Sequence, residues 1–119
     1  MNRMPDAELA FVEETKVVNY LLARTGRGRA KADFFEAFGF ASDRWEDLAQ
    51  ALLDHGKEGT LARSYQTPYG VRYEVEGRLE TPSGRRPFLR TVWQADRFAR
   101  RPGPRLITAV PSYEGGERR

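Results

Sequence analysis

Hydrophobic spacing changes period once along this chain, near Gly59. Before it, apolar residues recur at intervals of three and four; after it, every second residue. From about Thr15 to Arg24, the residues Val17, Val18, Tyr20, Leu21 and Leu22 mark a first helix that Gly26 and Gly28 end. A second short helix is predicted over Ala30 to Phe38, with Phe34, Phe35 and Phe38 on its apolar face and Gly39 as its stop. A third is predicted to start at a Ser42 or Asp43 cap and to run to about His55. Asp43 and Glu46 there have the spacing of a capping box. Its buried stripe is Trp45, Leu48, Ala49 and Leu52, closed by Gly56 and Gly59. Residues 1–12 carry little pattern and read as an extended arm.

Beyond Gly59, Leu61, Arg63 and Tyr65 alternate with small and polar residues, and Pro68-Tyr69-Gly70 reads as a turn. Val71, Tyr73, Val75 and Leu79 then point one way while Arg72, Glu74, Glu76 and Arg78 point the other, as in a half-buried strand. A second turn falls at Thr81-Pro82-Ser83-Gly84. Phe88 to Gln94 is apolar on both faces, which predicts a central strand. Asp96 to Gly103 reads as a charged loop, Arg105 to Val110 as the last strand, and Ser112 to Arg119 as a frayed end. Helices followed by strands on short turns predict an α+β domain. Its three N-terminal helices would pack on one face of a four-stranded antiparallel meander sheet, leaving the other face open. The expectation is one domain over 1–119, with a core from about 15 to 111.

Composition supports that core: 39% of the 119 residues are apolar, with seven Phe and two Trp. The absence of cysteine rules out disulfides and thiolate metal sites and suits a reducing cytoplasm. No apolar run approaches the ~20 residues of a membrane span. Met1 to Ala10 is mixed and acidic, unlike a secretory signal. The net charge of +3 hides an asymmetry: residues 1–58 hold eleven acids and eight bases, and residues 59–119 hold six acids and twelve bases. Seven arginines stand between Arg85 and Arg105 against Asp96 alone, which suits an anionic partner, nucleic acid first. With only three lysines, a general preference for arginine is the simpler account.

The open face offers the first candidates. RNA cleavage without metal needs a base for the ribose 2′-hydroxyl, an acid for the leaving oxygen and a cation for the phosphorane. Glu74 or Glu76 could be the base and Arg90 or Arg105 the cation; cross-strand ion pairing is the simpler reading of the glutamates. Arg72, Arg78, Arg85 and Arg86 are the candidate nucleic-acid contacts. Lys31 opens the second helix behind the basic loop Thr25-Gly26-Arg27-Gly28-Arg29, where a cation opposes the helix dipole. A phosphate at that helix end would be held by free N–H groups and Lys31 together; a solvated lysine beside Asp33 and Glu36 is the alternative.

His55, the only histidine, lies at the end of the third helix. A protonated cap on the helix dipole is the simpler reading and proton transfer the sharper one. With one histidine, no cysteine, no calcium-loop spacing and no nucleophile elbow, no metal or cofactor is expected. Thr91 and Thr108 sit in otherwise apolar strands, so their hydroxyls either bond the backbone or face a phosphate. Trp93 reads as core rather than a base-stacking platform. Tyr113 reads as an exposed tail residue that could stack or act as an acid.

Several segments together resemble a family of small bacterial proteins known as an uncharacterised domain of unknown function. They are Gly28-x-x-Lys31-Ala32-x-Phe34-Phe35-x-x-x-Gly39-Phe40, Thr67-Pro68-Tyr69-Gly70, Thr81-Pro82-x-Gly84, Arg90-Thr91-Val92-Trp93 and Pro104-Arg105-Leu106-x-Thr108-Ala109-x-Pro111. This resemblance covers roughly Lys16 to Pro111 and implies no activity. A looser one, helices before a four-stranded sheet ending in a Thr-Ala-Tyr-Pro-like strand, is to the barnase, EndoU, colicin and RelE-like ribonuclease toxins. Here Val110 stands where tyrosine is usual. That likeness implies a site near Lys31, Arg90, Arg105 and Thr108.

The leading expectation is a metal-independent RNA endonuclease of toxin type. Lys31, Arg90, Arg105, Thr108 and His55 are its catalytic candidates, and RNA and a cognate antitoxin or other small protein its partners. The rival is a non-catalytic module that binds protein or nucleic acid through its basic sheet face. A structural protein of a phage or secretion particle is a third reading, which would show as an oligomer.

Overall fold

The alternation between Gly70 and Arg78 builds the strand around which the sheet is organised. That strand, β2 (Gly70–Arg78), lies between β1 (Thr60–Thr67) and β3 (Phe88–Asp96), and β4 (Arg105–Pro111) forms the far edge. All three pairings are antiparallel between strands consecutive in sequence, so the sheet is a meander. Helical segments precede it: α1 (Glu14–Lys16), which continues as a π-helical turn Val17–Leu21, then α2 (Arg29–Ala37) and α3 (Trp45–Glu58). The computed structural model describes residues 2–23 and 29–112. Most of the basic loop before α2, and Tyr113, lie outside the described residues. Among the described residues no helix is long and apolar enough to cross a membrane.

The period-two pattern of β2 and β3 sorts side chains by face. Val75, Leu79, Leu89 and Trp93 point inward and form one core with Val17, Leu21 and Leu22 of the first helical segment, Phe35 of α2, and Leu48 and Leu52 of α3. Strand β3 is internal, flanked by β2 and β4. In β4, a register shift after Val92 of β3 places both Leu106 and Ala109 in the core, with Ile107 as the extra residue.

The ends of α2 and α3 follow different rules. At the end of α2, Phe40 N–H donates to Phe35 O at 3.2 Å and Gly39 N–H to Glu36 O at 3.0 Å. Gly39 takes φ of +100°, the left-handed conformation that this six-to-one closure requires. Ser83 N–H then donates to Phe38 O at 3.1 Å, fixing the β2–β3 connection on that helix end. The capping box read from Asp43 and Glu46 does not form. A 3-10 turn, Ser42–Arg44, leads into α3, and neither this turn nor α3 has a side-chain cap. Gly56 is not a stop either, since α3 runs on to Glu58. Its missing side chain makes room for Trp93: a Cβ at Gly56 would stand 2.6 Å from Trp93 Cζ2.

The amino-terminal arm is also more than a lead-in. Met4 is buried, Leu61 N–H donates to Asn2 O at 3.0 Å, and Ala7–Leu9 forms a 3-10 turn. Phe11 then pairs in parallel with Arg105 at the outer edge of β4, its N–H donating to Pro104 O and its carbonyl accepting from Leu106 N–H. The pairing covers the start of an edge strand that would otherwise present open backbone groups.

The Gly56–Trp93 contact yields a direct test. Gly56→Ala forces a methyl group into the indole, and overpacking of this kind costs about 1–3 kcal/mol. The urea midpoint should fall with an unchanged slope, and a variant as stable as the parent would mean that α3 does not lie this close to β3.

Candidate functional site

Three elements distant in sequence meet at the β4 edge of the sheet. Lys31, in the first turn of α2, donates from Nζ to Thr108 Oγ1 at 3.0 Å and to the Ala109 carbonyl at 3.4 Å. The third element is the π-helical turn. Leu22 N–H reaches back to Val17 O at 2.8 Å, and this wide turn buries Val17, Leu21 and Leu22 while leaving Tyr20 40% exposed. The Tyr20 ring receives two ammonium groups, Lys16 Nζ at 4.9 Å and Lys31 Nζ at 5.4 Å from its centroid. A hydrogen bond with Thr108, and then the charges of Lys31 and Lys16, hold the Tyr20 phenol below its usual range against the opposing effect of burial. Phenol, ammonium and secondary hydroxyl therefore converge at one accessible point, a set able to exchange a proton and to neutralise a developing oxyanion.

Lys31 and Thr108 are thus neighbours, while Tyr20 was hidden in the sequence by its place in an apolar run. The usable signal was Lys16 four residues earlier, the spacing that stacks two side chains on one helix face.

Arg90 and Arg105 take other positions. Both belong to the sheet face opposite the core: Arg90 pairs with Glu76 and Arg105 with Gln94 in the strand registers. Arg90 Nε lies 3.1 Å from Glu76 Oε2. Arg105 grips Asp96 with two nitrogens, at 2.7 and 3.2 Å. Those bonds hold the Asp96 carboxyl below its usual range, with Gln94 assisting and Arg72 adding a smaller charge effect. Gln94 is buried and links the pair to Arg72, which donates to its Oε1 at 2.9 Å while its own Nε2 donates to Asp96 Oδ1 at 2.6 Å. Glu74 accepts from the Tyr65 hydroxyl at 3.4 Å and faces Arg63 at 3.8 Å. The face opposite the core is a lattice of internal pairs, each exposed one worth about 0–1 kcal/mol. Three further candidate cations, Arg78, Arg85 and Arg86, cluster near the β2–β3 connection. Arg86 pairs with Glu80 at 2.8 Å, Arg78 donates to Arg86 O at 3.0 Å, and Arg85 lies over the Phe38 ring.

His55 is not a helix cap, and the structure does not bring it to the β4 edge. Its ring enters the sheet from the last turn of α3, and the residue is only 3% exposed. Nε2 faces two carbonyls, Leu89 O at 2.9 Å and Gly77 O at 3.1 Å, so it carries the proton. Nδ1 then accepts from the Thr91 hydroxyl at 3.0 Å, and Thr91 Oγ1 accepts from the Trp93 indole N–H at 2.7 Å. Every polar atom in this relay is satisfied. Burial holds the imidazole below its usual range, outweighing the two carbonyl bonds that favour the charged form. The Thr91 hydroxyl therefore serves side chains of the core, not backbone or phosphate.

Two measurements follow. The unfolded chain protonates His55 near pH 6.5 while the folded chain resists it, so stability should decline as pH falls below about 6.5. Urea midpoints at neutral and mildly acidic pH should show this fall, and His55→Gln should remove it. Thr91→Val leaves buried indole and imidazole atoms unpaired and should cost about 1–3 kcal/mol for each. At the edge site, the difference in phenolate absorbance between the parent and Tyr20→Phe should reveal one tyrosine titrating below the usual range. Lys31→Ala should move that titration upward, and no movement would separate Lys31 from the phenol.

Comparison with known proteins agrees with this architecture. The fold is similar to one chain of a contact-dependent growth inhibition toxin–immunity protein complex from Klebsiella pneumoniae 342, at a TM-score of 0.70 and 18% sequence identity, over 92% of this chain and 99% of that one. At that identity the likeness is one of fold. No curated protein matches the chain. The model of a domain of unknown function, DUF6883, matches residues 3–113, and the chain belongs to that family.

Proposed function

We propose that this domain is a toxin-type endoribonuclease whose site is the Tyr20–Lys31–Thr108 cluster. The observation that carries the reading is the Lys31–Thr108 bond at 3.0 Å beside a phenol held below its usual range. In the proposed reaction the ribose 2′-oxygen attacks the adjacent phosphorus, the bond to the 5′-oxygen breaks, and a cyclic phosphate forms. Tyr20 takes the 2′-hydroxyl proton as its phenolate, the form that the Thr108 bond and the neighbouring lysines favour. Lys31 stands as the cation beside the phosphorane and its ammonium gives a proton to the departing 5′-oxygen, while the Thr108 hydroxyl orients both groups. Val110 leaves the last strand without a phenol of its own, and Tyr20 offers one from the neighbouring helical turn.

In this reading Arg90 and Arg105 hold the sheet through Glu76 and Asp96 and do not contact the phosphorane, while His55 serves the core. The similar fold occurs in a toxin–immunity protein complex, which supports a small-protein neutraliser as partner.

The test is incubation of purified protein with total RNA in EDTA, beside folded Lys31→Ala and Tyr20→Phe variants. Cleavage by the parent should fall by about 10²–10⁴-fold in each variant, the range for losing a general acid–base partner. Arg90→Ala should keep most of the rate. Intact RNA with the folded parent, or full cleavage by both variants, would overturn the assignment.

A further inference from the structure

At one end of the sheet, two aromatic rings stand in solvent. Tyr69, in the β1–β2 turn, is 71% exposed, and Phe98, in the β3–β4 loop, is 90% exposed. The two tips are tied together, since Arg97 N–H donates to Tyr69 O at 2.8 Å. Thr67 shapes its turn with its own side chain, donating to Gly70 O at 2.9 Å and accepting from Tyr69 and Gly70 N–H. The far side of the loop is pinned where Phe11 N–H donates to Pro104 O at 3.0 Å. Phe98 is therefore presented by a loop anchored at both ends.

Charge at this end is one-sided. From Asp96 to Arg105 there are four arginines and one acid. Arg105 consumes that acid and Arg101 lies over the Phe11 ring at 4.2 Å. Arg97 and Arg100 flank Phe98 and make no side-chain bond or ion pair among the described residues. A cleft of 310 Å³ adjoins Arg100, lined also by Phe11, Arg101 and Arg105 and by two acids, Glu13 and Asp96. From Arg105, β4 leads to Thr108 in three residues, roughly 10 Å.

We infer that this end of the sheet is a stacking platform for single-stranded RNA, with base faces on Phe98 and Tyr69 and phosphates on Arg97 and Arg100. Exposed rings beside unpaired guanidinium groups match a strand whose bases are free to stack and whose backbone repeats a negative charge. A protein partner would use similar residue types. Continuity with the edge site along β4 favours the strand. The inference extends the ribonuclease reading by naming the form of RNA the site receives, but its test does not require cleavage.

The experiment measures fluorescence anisotropy of a short labelled single-stranded RNA over a range of salt, with Lys31→Ala protein so that the probe stays intact. Adding Phe98→Ala should weaken binding about tenfold and leave the salt slope unchanged, because a stacked base carries no counterion exchange. Adding Arg97→Ala with Arg100→Ala should instead lower the slope by about 1.4, the value for two lost contacts to a single strand. A duplex of the same sequence should bind more weakly than the strand. Unchanged affinity in the Phe98 variant, equal binding of duplex and strand, or no RNA binding by the folded parent would each overturn the platform. Phe98-dependent binding with no cleavage by the unmodified protein would sink the catalytic reading and keep this one. Full-rate cleavage with Phe98 irrelevant would do the reverse.

Discussion

The buried relay from Trp93 through Thr91 to His55 is the constraint on which the rest of the domain depends. It joins α3 to the two central strands by directional bonds where the remaining contacts are apolar and non-directional. Apolar packing alone would tolerate small rotations of α3 over the sheet. A ring whose two nitrogens must meet a hydroxyl on one side and two carbonyls on the other does not. Gly56 complements this by letting the same helix sit directly on the indole, so the relay and the close approach fix one depth and one angle together.

With α3 and the sheet fixed, the inward and outward sides of β3 take different tasks. Inward side chains build the core, and outward ones neutralise their neighbours across strands. This explains why a chain so rich in arginine shows few unpartnered cations in mid-sheet. Lys31, Arg97 and Arg100, which have no carboxylate partner among the described residues, stand instead at the edge strand and at one end of the sheet, where pairing across strands runs out. Lys31 at the β4 edge and Arg97 and Arg100 at the loop illustrate the two cases.

Much of this fold was legible because the two faces of β2 differ so sharply in polarity. Strand order followed from short turns, and the internal position of β3 from its apolar residues on both faces. The failures share a cause. Gly56 and Asp43 are residues whose local preference, helix stop and helix cap, is overruled by tertiary packing and by a preceding 3-10 turn, neither of which leaves a local trace. His55 was read from its place on a helix, whereas its role is set by strands 22 and 34 residues away. At the candidate site, Lys31 and Thr108 were visible as polar residues in unfavourable surroundings. Tyr20 was not, because a regular helical period assigns it to the buried stripe.

The π-helical turn Val17–Leu21 also shapes how this domain can vary. A π turn is an α-helical turn with one residue inserted, so it lets a segment satisfy two directional demands that a regular helix cannot. Here the demands are burial of Val17, Leu21 and Leu22 and delivery of Tyr20 to β4. Deleting a single residue would restore regular geometry and rotate one half of the segment against the other by about 100°. Either the apolar trio or the phenol would then lose its place. The length of this segment is consequently far less free to drift than its composition: substitutions that respect polarity can accumulate within it, but a one-residue deletion separates the core from the edge site in one step.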